Sequence, residues 1–267
     1  MLLQGNALDV LRTLPAESVQ TIVTSPPYWG LRDYGIDGQI GLETSVDEYV
    51  TTLVTIFEEG RRVLRHDGTL WLNLGDSYAG GGNYRGIPSE STLTAKQGSN
   101  RGARGLSQTL GARGKQSNCK PKDLVGIPWL VAFALRDAGW YLRSDIIWAK
   151  PNPMPESIKD RPTRSHEYLF LLTSSARYYY DADAIAETAS QNQPWGARLT
   201  TGKTPHTQGT SSTNRPRSRE DRIYATHNKR SVWLITPQPY RGAHFAVFPE
   251  ALVEPCVRAG SREGDLV

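Results

Sequence analysis

The sequence predicts an α/β fold, a sheet that includes parallel strands and carries helices on both of its faces. Three observations carry that expectation. Val19-Gln20-Thr21-Ile22-Val23 is a short β-branched run of the kind buried in parallel sheets. A long amphipathic helix pattern separates it from a second apolar run, Thr69-Leu70-Trp71-Leu72-Asn73-Leu74. A second helix pattern then leads to a third run, from Tyr141 to Trp148. Strands alternating with helices of this length favour crossover units over meanders.

Taken in order, Leu2 to Gln4 reads as a short strand, and Gly5-Asn6 opens a helix that Pro15 ends. The run from Ser18 to Val23 leaves its strand into Thr24-Ser25-Pro26-Pro27-Tyr28-Trp29-Gly30. Two prolines remove two backbone donors and fix φ, so the turn offers carbonyl oxygens without competing N–H groups. Ser25 adds a hydroxyl acceptor, and Tyr28 and Trp29 add flat faces. Acceptors beside an aromatic platform, at the carboxyl end of a strand, suit the exocyclic amino group of a planar base. Ser45 and Glu48 make a capping box for the helix that follows, with Tyr49, Leu53 and Phe57 on its core face and Gly68 as its stop. Gly75-Asp76-Ser77-Tyr78 is a second polar turn at a strand end. Asp76 is open there between contacting a substrate and capping the turn.

Residues 79–122 lose all periodicity, and Glu90 is the only acid among many basic residues that include Arg101, Arg104 and Arg113. Such a stretch cannot build its own core and is expected to be mobile. Ile127-Pro128 starts a helix that Gly139 closes. The strand ending at Trp148 runs into Ala149-Lys150-Pro151-Asn152-Pro153. His166 to Leu172 and Arg177 to Tyr180 read as a hairpin pair, with His166 and Glu167 in a structural role. A second basic, polar block spans 181–230 and carries Arg215, Arg217 and Arg219. Ser231 to Ile235 is a further strand. Pro249 then starts a helix with Leu252, Val253, Cys256 and Val257 inside and a kink at Pro255.

Composition narrows the function classes. With 38% hydrophobic and 22% charged residues the chain is globular. No apolar run is long enough to span a membrane and no signal peptide is evident, so a cytoplasmic location is expected. Cys119 and Cys256 stand far apart, read as free thiols, and make no metal-ligand spacing, so no metal site is expected. The net charge of +4 is modest, but its concentration in two glycine- and serine-rich blocks suits a phosphate backbone.

Ser25-Pro26-Pro27-Tyr28 resembles the catalytic motif of the amino-group DNA methyltransferases, which methylate cytosine N4 or adenine N6 with S-adenosylmethionine. Gly5-Asn6, Gly75-Asp76-Ser77-Tyr78, the Trp148 to Pro153 segment, Ser165-His166-Glu167 and Phe248-Pro249-Glu250 match further segments of that family in order. The order is that of the permuted subgroup, in which the Pro-Pro-Tyr motif precedes the cofactor loop. The resemblance implies a Rossmann-like methyltransferase sheet. It divides the chain into a catalytic core, 1–180, a target-recognition insert, 181–230, and a cofactor-flanking segment, 231–267.

It further implies Ser25, Pro26, Pro27 and Tyr28 as catalytic residues, and Asn6, Ser25, His244, Phe245, Phe248 and Glu250 around S-adenosylmethionine. Double-stranded DNA is the implied partner, through Lys150, Arg101, Arg104, Arg113, Arg215, Arg217 and Arg219. A cognate restriction endonuclease and a prokaryotic or phage origin also follow. Serine at the first motif position leans toward cytosine N4. The family's glycine-rich cofactor loop would follow Gly264-Asp265-Leu266-Val267, which reads as the start of its strand. On that reading the sheet is incomplete, and the chain alone is inactive unless a complementing polypeptide supplies the loop. The alternatives are a DNA-binding remnant without catalysis, or a methyltransferase acting on RNA or a protein amide.

Overall fold

A computed structural model describes residues 2–31, 34–79, 119–188, 226–238 and 247–267. Its main elements are α1 (Ala7–Thr13), β1 (Val19–Thr24), α2 (Val46–Val63), β2 (Leu64–Leu74), α3 (Ile127–Asp137), β3 (Tyr141–Ala149) and β4 (His166–Thr173). They are followed by the short strands β5 (Glu187–Thr188), β6 (Thr226–His227) and β7 (Val232–Leu234), and by α4 (Glu250–Gly260). The contacts divide the chain into two units, residues 1–181 with 230–267, and residues 182–229. In the smaller unit β5 pairs with β6 antiparallel, and Lys229 lies 3.6 Å from Glu187.

The larger unit is built on a five-stranded mixed sheet of order β1-β2-β4-β3-β7. β1 and β2 run parallel through the α2 crossover, β4 lies antiparallel to both β2 and β3, and β7 runs parallel to β3. Alternation along β2 sorts the two faces. Leu70, Leu72 and Leu74 join Phe170 and Leu172 in a core with Tyr49, Leu53 and Phe57 of α2 and Ile127, Val131 and Leu135 of α3. Trp71 points to the other face, where its ring stands 6.4 Å from that of Trp233. The end of α4 closes on the same side, since a Cβ on Gly260 would meet Thr69, Thr21 and Trp71. Helices therefore cover both faces. Among the described residues no helix is long and apolar enough to cross a membrane.

Several local expectations are corrected. Residues 2–4 form no strand, and Leu2 is 95% exposed, because no strand of the described residues reaches them. α2 ends at Val63 rather than at Gly68, and β2 starts at once. Gly68 sits inside β2 at an irregular stretch of the ladder, where a Cβ would come 2.7 Å from the Gln20 carbonyl. β4 forms its hairpin with β3, not with residues 177–180, which make a single backbone bond from Tyr179 to Asp67. In α4, Leu252 and Cys256 are buried as expected, but Val253 and Val257 are half-exposed on a different side. Residues 264–267 form no strand. One bond from the Gln20 amide to the Leu266 carbonyl (2.9 Å) joins them to β1, beside an Arg65–Asp265 ion pair at 2.6 Å.

Candidate active site at the end of β1

The turn after β1 is held from below. Tyr49 in α2 donates its hydroxyl to the Pro27 carbonyl at 2.9 Å, while the Pro26 carbonyl meets no donor among the described residues. Gly41 packs against the turn, and its carbonyl accepts from the Gly30 amide at 2.7 Å. Trp29 is not a platform. It is 4% exposed, belongs to the core, and gives its indole hydrogen to the Glu43 carbonyl. The flat face left to the site is that of Tyr28.

Tyr28 is fixed on two sides. Its ring lies against Gly75 at the end of β2, where a Cβ would come 2.9 Å from Cδ2 and nearer still to Cε2. Its hydroxyl oxygen stands 2.6 Å from Glu167 Oε2, 3.1 Å from Asn73 Oδ1 and 3.4 Å from Ser25 Oγ. Burial, and then the nearby Glu167 carboxylate, push the Tyr28 hydroxyl pKa well above its ordinary value, so the phenol stays neutral. The other oxygen of Glu167 pairs with Lys150, whose ammonium also stands 4.3 Å over the Trp148 ring. The Asn73 amide nitrogen donates to the Tyr168 carbonyl at 3.0 Å, which turns its oxygen toward Tyr28.

The site thus draws on three strand ends: Ser25 and Tyr28 after β1, Asn73 near the end of β2, and Glu167 near the start of β4. Antiparallel pairing makes this possible, since the start of β4 lies beside the end of β2 and the end of β3. Lys150, expected at DNA, is committed to Glu167 and Trp148. Neither Asn73 nor Glu167 was expected here. The available signal was an acid opening an otherwise apolar strand, Tyr168-Leu169-Phe170-Leu171-Leu172.

The other expected residues divide. Asp76 is a cap: its Oδ1 accepts from the amides of Ser77, Gly126 and Ile127 at 2.9–3.0 Å, fixing the start of α3. Asn6 accepts from the Leu8 amide at 3.0 Å as the N-cap of α1. Phe248 is half-buried and Glu250 exposed at the start of α4, where Pro249 provides no side-chain cap. His166 is held below its ordinary pKa, first by burial and then by Arg164. His244, Phe245, Arg101, Arg104, Arg113, Arg215, Arg217 and Arg219 lie outside the described residues, as does most of the 79–122 stretch.

Known proteins resemble this chain along its whole length. The N6/N4 methyltransferase profile, described as DNA methylase, matches residues 19–267. The type II methyltransferase M.Cfr9I of Citrobacter freundii is 48% identical, over 100% of this chain and 74% of its own length. M.SmaI of Serratia marcescens, also a type II methyltransferase, is 45% identical over 98% of this chain and 76% of its own length. Among solved structures, the cytosine-N4-specific PvuII DNA methyltransferase matches 98% of this chain and 70% of its own, with a TM-score of 0.56 at 15% identity. A Thermus thermophilus protein described as a candidate DNA modification methylase, solved with S-adenosyl-L-methionine, matches with a TM-score of 0.50 at 21% identity, over 98% of this chain and 74% of its own.

Proposed function

Because the chain belongs to the N6/N4 DNA methylase family, we propose that it methylates the N4 amino group of cytosine in duplex DNA, as the modification partner of a restriction endonuclease. Members of this family are S-adenosylmethionine-dependent DNA methyltransferases, and the chain is an enzyme of that class. The observation that carries the finer reading is the turn itself. Ser25 and the unengaged Pro26 carbonyl stand together at the carboxyl end of β1, beside the pinned ring of Tyr28.

An exocyclic amino group is a poor nucleophile, because its lone pair is delocalised into the base. Two acceptors that hold its hydrogens localise that pair. Ser25 Oγ and the Pro26 carbonyl are suited to this, and the Tyr28 face to stacking the extruded base, worth about 1–3 kcal/mol. No covalent intermediate on the protein is needed. S-adenosylmethionine supplies the electrophilic methyl. The half-buried Phe248 ring and the exposed Glu250 carboxylate at the start of α4 suit an adenosine and a cationic sulfonium, and His244 and Phe245 are proposed to contact the cofactor with them. Asn6 lies at the same site in this reading, although its oxygen already caps α1.

Ser25 at the first motif position supports cytosine over adenine. The PvuII enzyme is cytosine-N4-specific, and its 15% identity makes it a guide to fold alone. Arg101, Arg104 and Arg113 are proposed to follow phosphates, and Arg215, Arg217 and Arg219 to contact bases, with Lys150 acting from the pocket wall. The relatives' type II names support a paired nuclease. Mass spectrometry of nucleosides from DNA treated with the protein, alone and together with a polypeptide that supplies the family's cofactor loop, and with S-adenosylmethionine tests the reading. N4-methylcytosine is expected, and N6-methyladenine without it refutes the cytosine assignment.

A further inference from the structure

One chain of hydrogen bonds in the site has its direction set at a single end. Glu167 pairs with Lys150 in a largely enclosed position, their side chains 18% and 21% exposed, and an ionised carboxylate can only accept. Tyr28 has one hydroxyl hydrogen and two acceptors on that side, Glu167 Oε2 at 2.6 Å and Asn73 Oδ1 at 3.1 Å. Asn73 cannot present its amide nitrogen instead, because that group donates to the Tyr168 carbonyl at 3.0 Å. The Tyr28 hydrogen therefore turns to the nearer, charged acceptor, where the bond is stronger. The Tyr28 oxygen is left to accept, and the Ser25 hydroxyl at 3.4 Å is the donor within reach. With its own hydrogen turned toward Tyr28, Ser25 Oγ offers only lone pairs to whatever enters the pocket.

We infer that Glu167 is a positioning residue that, through Tyr28, orients the Ser25 hydroxyl as an acceptor, so that the pocket admits a base carrying an amino group and disfavours one carrying a carbonyl oxygen. The inference rests on the proposed cytosine reading, and it makes Glu167 a determinant of amino-versus-oxo discrimination. Lys150 has a matching part, donating to the other oxygen of Glu167 and leaving Oε2 to accept from Tyr28. Glutamine at 167 would remove that constraint. Its amide can donate to Tyr28, which frees the Tyr28 hydrogen for Ser25 and turns the Ser25 hydrogen into the pocket.

The test uses the whole protein without cofactor, on duplexes whose methylated position has first been mapped. Affinities are measured for duplexes with cytosine or uracil there, and the ratio is compared among wild type, Glu167→Gln, Tyr28→Phe and Glu167→Asp. The guanine–uracil mismatch is common to every protein and cancels in that comparison. Loss of one oriented hydrogen bond to a polar group shifts such a ratio by about tenfold. Glu167→Gln and Tyr28→Phe should both lower the cytosine preference by that factor, and Glu167→Asp should retain most of it. Tyr28→Phe leaves the Lys150–Glu167 pair in place, so it serves even if Glu167→Gln fails to fold. A wild-type preference that survives both substitutions, or no wild-type preference, overturns the inference. A protein that binds no duplex overturns the cytosine reading beneath it.

Discussion

Gly75→Ala is a one-carbon test of the site. Gly75 has no positive φ, so alanine costs little in backbone terms. The cost is contact: the new methyl would stand 2.9 Å from Tyr28 Cδ2 and closer to Cε2, where carbon atoms prefer about 3.5–4.0 Å. The ring must give way by about 1 Å, because the methyl would be fixed to the buried Gly75 backbone just beyond β2. That shift breaks the 2.6 Å bond to Glu167. A hydrogen bond to a charged group contributes roughly 1.5–3 kcal/mol, which is about one to two orders of magnitude in rate if it is expressed in the transition state. An independent scale agrees, since a 1 Å misplacement of a catalytic group costs about a hundredfold. Single-turnover methyl transfer on duplex DNA should fall by about that factor, while the circular dichroism spectrum is retained. The double variant Gly75→Ala/Tyr28→Ala removes the clash, and it should be no slower than Tyr28→Ala alone. Activity of Gly75→Ala within about threefold of wild type would refute the pinned ring, since a shift of this size predicts far more.

Other positions separate the fold from the chemistry. Asp76→Ala leaves three partly buried amide donors unmet and should lower stability in urea by about 3 kcal/mol, whereas Asp76→Asn, which keeps an acceptor, should lose about half as much. Gly260→Ala would place a methyl 2.5 Å from Thr69 Oγ1 and 2.7 Å from Thr21 Oγ1, so its melting temperature should fall by roughly 5 °C with little change in DNA affinity. Tyr28 and Tyr49 both have raised hydroxyl pKa values, chiefly through burial. Their contribution to stability is complete below the ordinary tyrosine value near 10 and is lost as pH rises above it, because the unfolded chain ionises first. Of the 12 tyrosines, these two should stay silent in tyrosinate absorbance until alkaline unfolding, and a single transition near pH 10 in the folded protein would contradict that.

Local rules made much of the fold legible. β1, α2, α3 and β3 carry their own periodicity and caps, and Ser45 does cap α2, its Oγ accepting from the Glu48 amide at 3.2 Å. What failed depended on neighbours the chain does not specify locally. Leu2 to Gln4 has strand composition but meets no partner strand among the described residues. Residues 177–180 have it too, yet β4 already has β2 on one side and β3 on the other, leaving no free edge for them. Gly68 reads as the end of α2 because glycine is a common helix stop. Here Gly68 instead serves a close approach to the Gln20 carbonyl within the sheet.

The site divides in the same way, and for a reason the register makes concrete. Ser25, Pro26, Pro27 and Tyr28 are consecutive, so their chemistry can be read from one turn. Asn73 and Glu167 belong to the site only because β2 and β4 pair antiparallel with Asn73 opposite Leu169. Glu167 is two residues before Leu169 and therefore points to the same face, while Trp148 stands opposite Glu167 on β3 and brings Lys150 two residues beyond it. A slip of one residue in either pairing would turn Glu167 to the face of Tyr168 and Phe170, where an unpaired carboxylate among aromatic rings would cost several kcal/mol. The ion pair with Lys150 and the bond from Tyr28 thus hold the register of β4 as well as the pocket. Glu167 could be judged structural from its own strand and still set the direction of a hydroxyl on another.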